Sequence, residues 1–581
     1  MERATTLSPA RTNAPQTVVR WAVFAFLLVT AVGLLSGCGR TSDTQTGDRL
    51  SLPVTENLDP RRRVRPIELY VTTPEYDPVR YELGLMVAEN WRKLGFDVKV
   101  TPLAWDRLSE LGLKQHKFDA FTLEWAGRAE RIDPDHFVYQ TLHSSQDIPG
   151  GYNVVGYHNE EYDQTAEAQR REMNSEKRRE LVFRAQEIAA EDVPYAPVLY
   201  RNQIVAYNSR EFENVTPMLG EGFMGIWNWL TITPKGERKV VRLGYPGDVT
   251  SLNPLSTVNA HDHQTLSLIY DRLVRVNPDG EPELWAAEDM KQVAPNVLEF
   301  RLRPGMKFHD GQPVTAADVV YTFQLIQQVK SPYFLNLTSM VKEVEATDDL
   351  TVRFTLTEPT ASFLANTLGQ VYILPKHVWQ RIYDQGGAQA VLNYPNTEPV
   401  GSGPFKLEYW RKDQEMMLKA VKDYFQPAKI DGILKIAYAD NQGMVGALQA
   451  GEVDVAGWAL LPQEADGLKG FDHLTILEVQ NHGLVHINYN ARVLPFSDKA
   501  VRLALTYAIP KQRIVEEILE GHGEVAHSII APANKFWHNP NVKKINFDLQ
   551  EAVTILRQAG YKWDSEGHIY YPEGVSDNQH S

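Results

Sequence analysis

The stretch "FRLRPGMKFHDGQPVTAADVVYTF", residues 300–323, decides how this chain is read. It has the order of a strand, a turn and the start of a helix. Asp310-Gly311 between strand and helix is turn chemistry. Thr315, with Asp318 three residues on, reads as a helix N-cap with an acidic N3 partner. His309-Asp310 suggests a catalytic dyad, but such a pair needs a nucleophile and a third orienting group, and the spacing offers neither. A stretch of this kind belongs near the beginning of a protein, yet a long, folded-looking segment precedes it.

The chain has 581 residues, more than one core usually holds, so two or three domains or lobes are expected. A formal net charge of −15 argues against a nucleic-acid partner, which wants clustered Lys and Arg. Arg3, Arg11 and Arg20 precede the apolar run "WAVFAFLLVTAVGLL" (21–35), and the sole cysteine, Cys38, follows at its end. This is the pattern of a secretory signal over 1–37, with an apolar run too short for a comfortable membrane span. "Leu35-Ser36-Gly37-Cys38" resembles a bacterial lipobox, which implies cleavage before Cys38 and lipid attachment to its sulfur; the other reading is a buried cysteine in an uncleaved signal anchor. One cysteine leaves no internal disulfide. Residues 38–65 are polar and read as a flexible tether.

Beyond the tether, 66–106 read as β-α-β. "IELYV" (67–71) is a strand; Leu83, Met86, Val87, Trp91 and Leu94 share one helical face; Gly95 is a C′ residue; "FDVKVTPL" alternates as a strand. "FDAFTLEW" (118–125) is a short buried strand that runs into the polar loop "AGRAERIDPDHF" (126–137). Two helices and a strand follow up to Tyr200. "VVRLGYPGDVTSLNPL" (240–255) then opens like a new protein, with a helix expected through "TLSLIYDRLV". Strands and helices mix over 283–400, and "GSGPFKLEYW" (401–410) gives another strand. Ser497 is a plausible N-cap for "SDKAVRLALTYAI", and Asp548 with Glu551 caps a helix that ends at Gly560. The class is α/β or α+β, with two β-rich, helix-covered lobes.

"FRLRPGMKFHDGQPVTAADVVYTF" closely resembles the signature of the family 5 extracellular solute-binding proteins, the dipeptide, oligopeptide, nickel and glutathione receptors of ABC importers. "SLNPL" (251–255), "IYDRLV" (269–274), "GSGPFKL" (401–407), "PFSDKAVRLALTYAIPKQRIV" (495–515) and "EAVTILRQAGY" (551–561) resemble it too. The resemblance implies an α/β, two-lobed periplasmic-binding-protein-like clamp of type II with an extra small α+β subdomain. The order departs from the family's. "YELGLMVAENWRKLGFDVKV", "FDAFTLEWAGRAERIDPDHF", "YHNEEYD" and "AAEDVPYAPVLY" resemble the family's C-terminal part, so 240–575 followed by 66–233 would make one complete member. The domains expected on this basis are 66–233 as the C-terminal part and second lobe, returning to the first lobe near its end; a linker over 234–239; 240–490 as the first lobe, with the subdomain inserted at about 283–400; 491–575 as the start of the second lobe; and a tail over 576–581. The linker's six residue steps span at most ~20 Å, so the family's natural termini must lie close together. A truncated tandem fusion or a swapped dimer would give the same order.

The resemblance also implies a ligand site between the lobes. Backbone near Val258, Asn259 and Ala260 in one lobe and near Trp125 and Ala126 in the other would flank a peptide. Arg128 stands three residues after Trp125, where di- and oligopeptide binders commonly carry an Asp for the peptide ammonium. An Arg favours a carboxylate or phosphate instead. "WAGRAERIDPD" is closer to the glutathione-binding branch, so an anionic ligand group is expected at Arg128. The alternative is a structural pair between Arg128 or Arg131 and Asp133 or Asp135. In "AHDHQT" (260–265), His261 and His263 suggest a metal, but no third ligand is evident from spacing, so no metal or cofactor is expected; His261 is instead a candidate ligand contact. The function implied is an extracytoplasmic, lipid-anchored, monomeric receptor that hands peptides or peptide-like solutes to ABC permease subunits and catalyses nothing. Its alternatives are a non-transport sensor or remnant lipoprotein and, less well supported, a secreted hydrolase.

Overall fold

The computed structural model describes residues 50–575 apart from 75, 129, 130 and 149. Cys38, the leader 1–37 and the tail 576–581 lie outside the described residues.

The first sheet is built around β1 (Ile67–Thr72), whose Ile67, Leu69 and Val71 are fully buried. Chain leaves β1 into a helix at Pro78–Lys93, where Asp77 caps by accepting from the Arg80 amide. Leu83, Val87 and Trp91 form the buried face, and the helix stops at Gly95, whose φ of +93° a side-chain-bearing residue would resist. β2 (Val98–Leu103) then pairs parallel to β1, and β3 (Ala120–Trp125) pairs parallel on β1's other side. The strand Leu484–Tyr489 continues the sheet antiparallel to β3, followed by β4 (Tyr195–Arg201) and Gly523–Val525. Every residue of Leu484–Tyr489 is buried, as suits a central strand covered on both faces.

The second sheet has seven strands, in the spatial order Phe405–Arg411, Glu415–Ala420, Gly432–Tyr438, Val240–Pro246, Val455–Ala456, Gln203–Asn208 and Leu474–Val479. Gln203–Asn208 is β5; the short β6 (Phe212–Glu213) and β7 (Thr233–Pro234) pair beside it; Val240–Pro246 is β8. A separate four-stranded antiparallel sheet covers Ala287–Ala294, Val297–Leu302, Thr351–Leu356 and Val341–Ala346. It opens the stretch from 300 to 323. There Gly311 takes φ +89° in the turn, and the Thr315 amide and hydroxyl donate to the Asp318 carboxylate at 2.9 and 2.8 Å at the start of helix Ala316–Val329.

Among the described residues the chain passes between the six- and seven-stranded sheets twice, at Asn202 and over 480–483. The boundary expected at 490 therefore falls earlier, because Leu484–Tyr489 hydrogen-bonds with β3 and β4. The tether expected to run to 65 also ends earlier. Leu50 and Leu52 pack on the core of the six-stranded lobe, the Thr55 amide donates to Trp563 O at 2.7 Å, and the Val64 amide to Ile569 O at 2.9 Å. The helix expected through 265–274 instead spans Ala260–Ile269, with a strand at Val274–Val276. Asp498, not Ser497, caps the helix Lys499–Tyr507; its carboxylate accepts from the Ala500 amide at 2.8 Å.

Candidate functional site

The two lobes meet where β3 ends. Beyond Trp125 the chain approaches the 480–483 crossing so closely that a Cβ on Gly127 would stand 2.8 Å from the Gly483 nitrogen. His482 Nε2 donates to the Arg128 carbonyl at 2.9 Å. Leu219, Val276 and Ala365 of the seven-stranded lobe share an apolar cluster with Ile132 and Phe137 of the six-stranded lobe. Beside this contact lies a cavity of about 90 Å³. Arg128 lines it from the six-stranded lobe; Glu221, Val258, Ala260, His263 and Arg272 line it from the other. Tyr333 and Gln370 line it too. A wider groove of about 760 Å³ runs along the Phe405–Arg411 strand, but one lobe alone forms it, and its Asp310 is engaged by His377 at 2.7 Å. The smaller interlobe cavity is the better candidate, because closure of two lobes can change only a site to which both contribute.

Of the residues expected at the site, Arg128, Val258 and Ala260 come together on this cavity, whereas Trp125, Ala126, Asn259 and His261 do not line it. Trp125 is 5% exposed and packs edge-on to His136 and Tyr152, with the Arg131 guanidinium 5.3 Å from its ring centre. The Ala126 carbonyl accepts from Arg131 Nη1 at 2.9 Å. The backbone at Val258–Ala260, expected to flank a peptide, is not extended as a strand. Asn259 turns the chain into the helix Ala260–Ile269, its side-chain oxygen accepting from the His261 amide at 2.9 Å. That cap decides the local structure.

The helical geometry also separates the two histidines, since residues two apart on a helix point to different faces. His261 packs edge-on against Tyr245 and Trp458, at 4.4 and 4.8 Å. His263 stacks on Tyr333 at 4.0 Å. Burial pushes the His263 imidazole down to about 4, so it is neutral near pH 7. Its Nε2 then donates to Thr257 O at 3.2 Å, while the Tyr372 hydroxyl donates to the His263 carbonyl at 3.1 Å and lies 3.1 Å from Nδ1. Asp262 between them accepts from the Thr250 amide and hydroxyl, the Ser251 amide and the Thr257 hydroxyl, fastening the 250–257 loop to the helix. Among the described residues no group of three His, Cys, Asp or Glu is placed to hold a metal.

The carboxylates offered as structural partners for Arg128 and Arg131 are engaged elsewhere in the loop's surroundings. Asp133 is forked by Arg178 at 2.6 and 2.8 Å, and Asp135 faces Arg170 at 3.4 Å. Sequence reasoning missed Glu221, Arg272, Tyr333 and Gln370. Arg272 stands inside "IYDRLV", which reads as a family marker and gives no sign of facing a cleft.

The described residues include no helix long and apolar enough to cross a membrane. Residues 281–579, just over half of the chain, match the model of the bacterial extracellular solute-binding proteins, family 5 (Middle). The chain is 30% identical over 332 residues to the oligopeptide-binding protein AppA of Bacillus subtilis, a match that covers 56% of this chain and 60% of the relative. It is 28% identical over 363 residues to a dipeptide-binding protein of Escherichia coli, covering 57% and 65%. The chain thus spans less than two thirds of the length of these relatives. Among solved structures, AppA in complex with a nonapeptide aligns over 58% of this chain and 67% of that one, at 26% identity and a TM-score of 0.42. The family's members bind solutes outside the cytoplasm, and on the extent of its match this chain belongs to the family 5 bacterial extracellular solute-binding proteins.

Proposed function

We propose that the chain is the solute receptor of an ABC importer, taking peptides or peptide-like, anionic ligands between its lobes and delivering them to a membrane permease. The observation that carries this reading is the cavity to which both lobes contribute, beside the two crossings at Asn202 and 480–483. Hinge motion at two crossings lets such a cleft open and then bury a solute. The names of the oligopeptide- and dipeptide-binding relatives support a peptide-like ligand. Arg128 supports an anionic group, since a guanidinium forks a carboxylate and repels an ammonium. The receptor catalyses nothing, is held at the outer face of a membrane by lipid on Cys38, and acts as a monomer. Its segments stand in exchanged order, with 66–233 placed before 240–575.

Calorimetry on protein beginning at Gly39 tests the reading, because everything described lies downstream of that residue. Tri-alanine, Ala-Phe and glutathione are the panel, and saturable binding of at least one is expected. Arg128→Ala is expected to weaken the tightest anionic ligand by about tenfold, the scale of one charge-assisted hydrogen bond. No saturable heat from any of the three would sink the proposal.

A further inference from the structure

The part of the cavity formed by the seven-stranded lobe carries two donors that the fold leaves unanswered. Arg272 and Gln370 both line the cavity and are 8% and 3% exposed. Arg272 Nη1 donates to the Gly369 carbonyl at 2.8 Å and Nη2 to the Tyr372 hydroxyl at 3.3 Å. Its guanidinium lies 4.9 Å from the Tyr372 ring centre. These contacts pin the guanidinium plane while the Nε–H has no acceptor among the described residues. Gln370 follows Gly369 directly, and its Nε2 also has none among them. Buried donors without acceptors cost stability and are rare in native proteins, so two on one cavity call for a reason. The helix Ala260–Ile269 starts at the same cavity through Ala260, and the positive end of its dipole adds to the guanidinium charge, against which Glu221 sets one carboxylate on the same cavity. His263 adds no positive charge near neutral pH.

We propose that Arg272 Nε–H and Gln370 Nε2–H seat a carboxylate of the bound solute on the seven-stranded lobe, opposite Arg128 on the other lobe. The inference rests on the reading of the chain as a receptor for peptide-like solutes, and it makes the free carboxylate a requirement for tight binding. A carboxylate accepts N–H bonds from both without giving up a proton. With Arg128 facing it, the same group draws the lobes together, so recognition and closure use one charge.

The test compares tri-alanine with tri-alanine amide by calorimetry, on the wild type and on Gln370→Leu. Leucine keeps nearly the shape of glutamine and removes only the polar end. Arg272 also ties Gly369 and Tyr372, so Arg272→Lys serves as the supporting variant, which keeps the charge and loses the fork. In the wild type the amide is expected to bind at least about tenfold more weakly than the acid. In Gln370→Leu that ratio is expected to fall below about threefold. Equal affinity of acid and amide in the wild type would overturn the carboxylate seat and leave peptide binding standing. Full discrimination retained in both variants would also overturn it. Absence of binding by either probe, together with glutathione, would overturn both the seat and the receptor reading.

Discussion

Lys511 is 3% exposed, and among the described residues its ammonium finds one acceptor, the Ala526 carbonyl, at 2.9 Å. Loss of hydration pushes its pKa from the usual 10.5 down to about 7. The folded chain therefore releases this proton at lower pH than the unfolded chain, which binds more protons between about pH 7 and 10.5. Stability from this group rises with pH across that window, and below pH 7 the full cost of burying the charge remains. His527 beside it is held down to about 4 by burial, so it is neutral throughout the window. Urea unfolding is expected to show this upward slope. Lys511→Met is expected to remove it and to raise stability at pH 6 by roughly 2 kcal/mol, the charge-burial penalty less the hydrogen bond lost at Ala526. Identical pH slopes in the two proteins would refute the assignment. At this scale the sequence reveals less than half of the candidate site. Arg128, Val258 and Ala260, which line the cavity, were named from the resemblance: Arg128 stands within "WAGRAERIDPD", and Val258 and Ala260 follow "SLNPL". Arg272 and Gln370 were not, since an unanswered donor exists only once the third dimension has taken its acceptors away. His261 was misplaced because Asn259 reads equally as strand and as cap until its side-chain oxygen finds the His261 amide.

Elements with local causes were legible. The β-α-β unit from Ile67 to Leu103 shows its periodicity, its cap and its terminal Gly95 within one short run of sequence. The strand Leu484–Tyr489 was not placed, because its partners β3 and β4 lie hundreds of residues away and no local feature names them. This strand and β3 lie side by side in the sheet, and the chain touches at two glycines where one leaves it and the other enters. A Cβ on Gly483 would stand 2.6 Å from the Gly127 nitrogen and 3.1 Å from the Trp125 carbonyl oxygen. Both obstacles are backbone, so neither can swing aside, and the requirement is one of close approach. Gly483→Ala is expected to destabilise the protein by about 2–3 kcal/mol through overpacking. Gly236→Ala is the control, because among the described residues nothing lies within 4 Å of a Cβ there, and it is expected to be nearly silent. Denaturant midpoints for the two variants decide the matter, and equal midpoints would remove the crossing from the set of tight contacts.

For the whole molecule the open matter is the order of the segments. The C-terminal end of the described chain returns to the N-terminal side of β1: Arg63 bridges Tyr570, and the Tyr571 amide donates to the Arg62 carbonyl at 2.8 Å. A short link from Pro572 to Val64 would therefore join neighbours. The other junction, Lys235–Lys239 between β7 and β8, is largely exposed, with no described atom near a Cβ on Gly236. Cutting there removes a connection, while Arg238, paired with Asp454 at 2.8 Å, stays on the new N-terminal side. A rearranged chain that begins at Glu237, runs to Pro572, and continues through a short Gly/Ser link into Val64 and on to Gly236 keeps every pairing of the named strands. Those pairings are unchanged; the contacts of 50–63 with Trp563, Tyr570 and Tyr571 are lost, and the exchange of order itself enters through loop-closure entropy, which grows only logarithmically with loop length. It is expected to fold to a monomer with the same far-ultraviolet circular dichroism, a stability within about 2 kcal/mol of a natural-order chain running from Val64 to Pro572, and the same response to tri-alanine. A rearranged chain that is insoluble, or that folds only as a dimer exchanging lobes, would show that the present order is built into the assembly of the six-stranded sheet, where β3 must wait for Leu484–Tyr489 to be made before its free edge is covered.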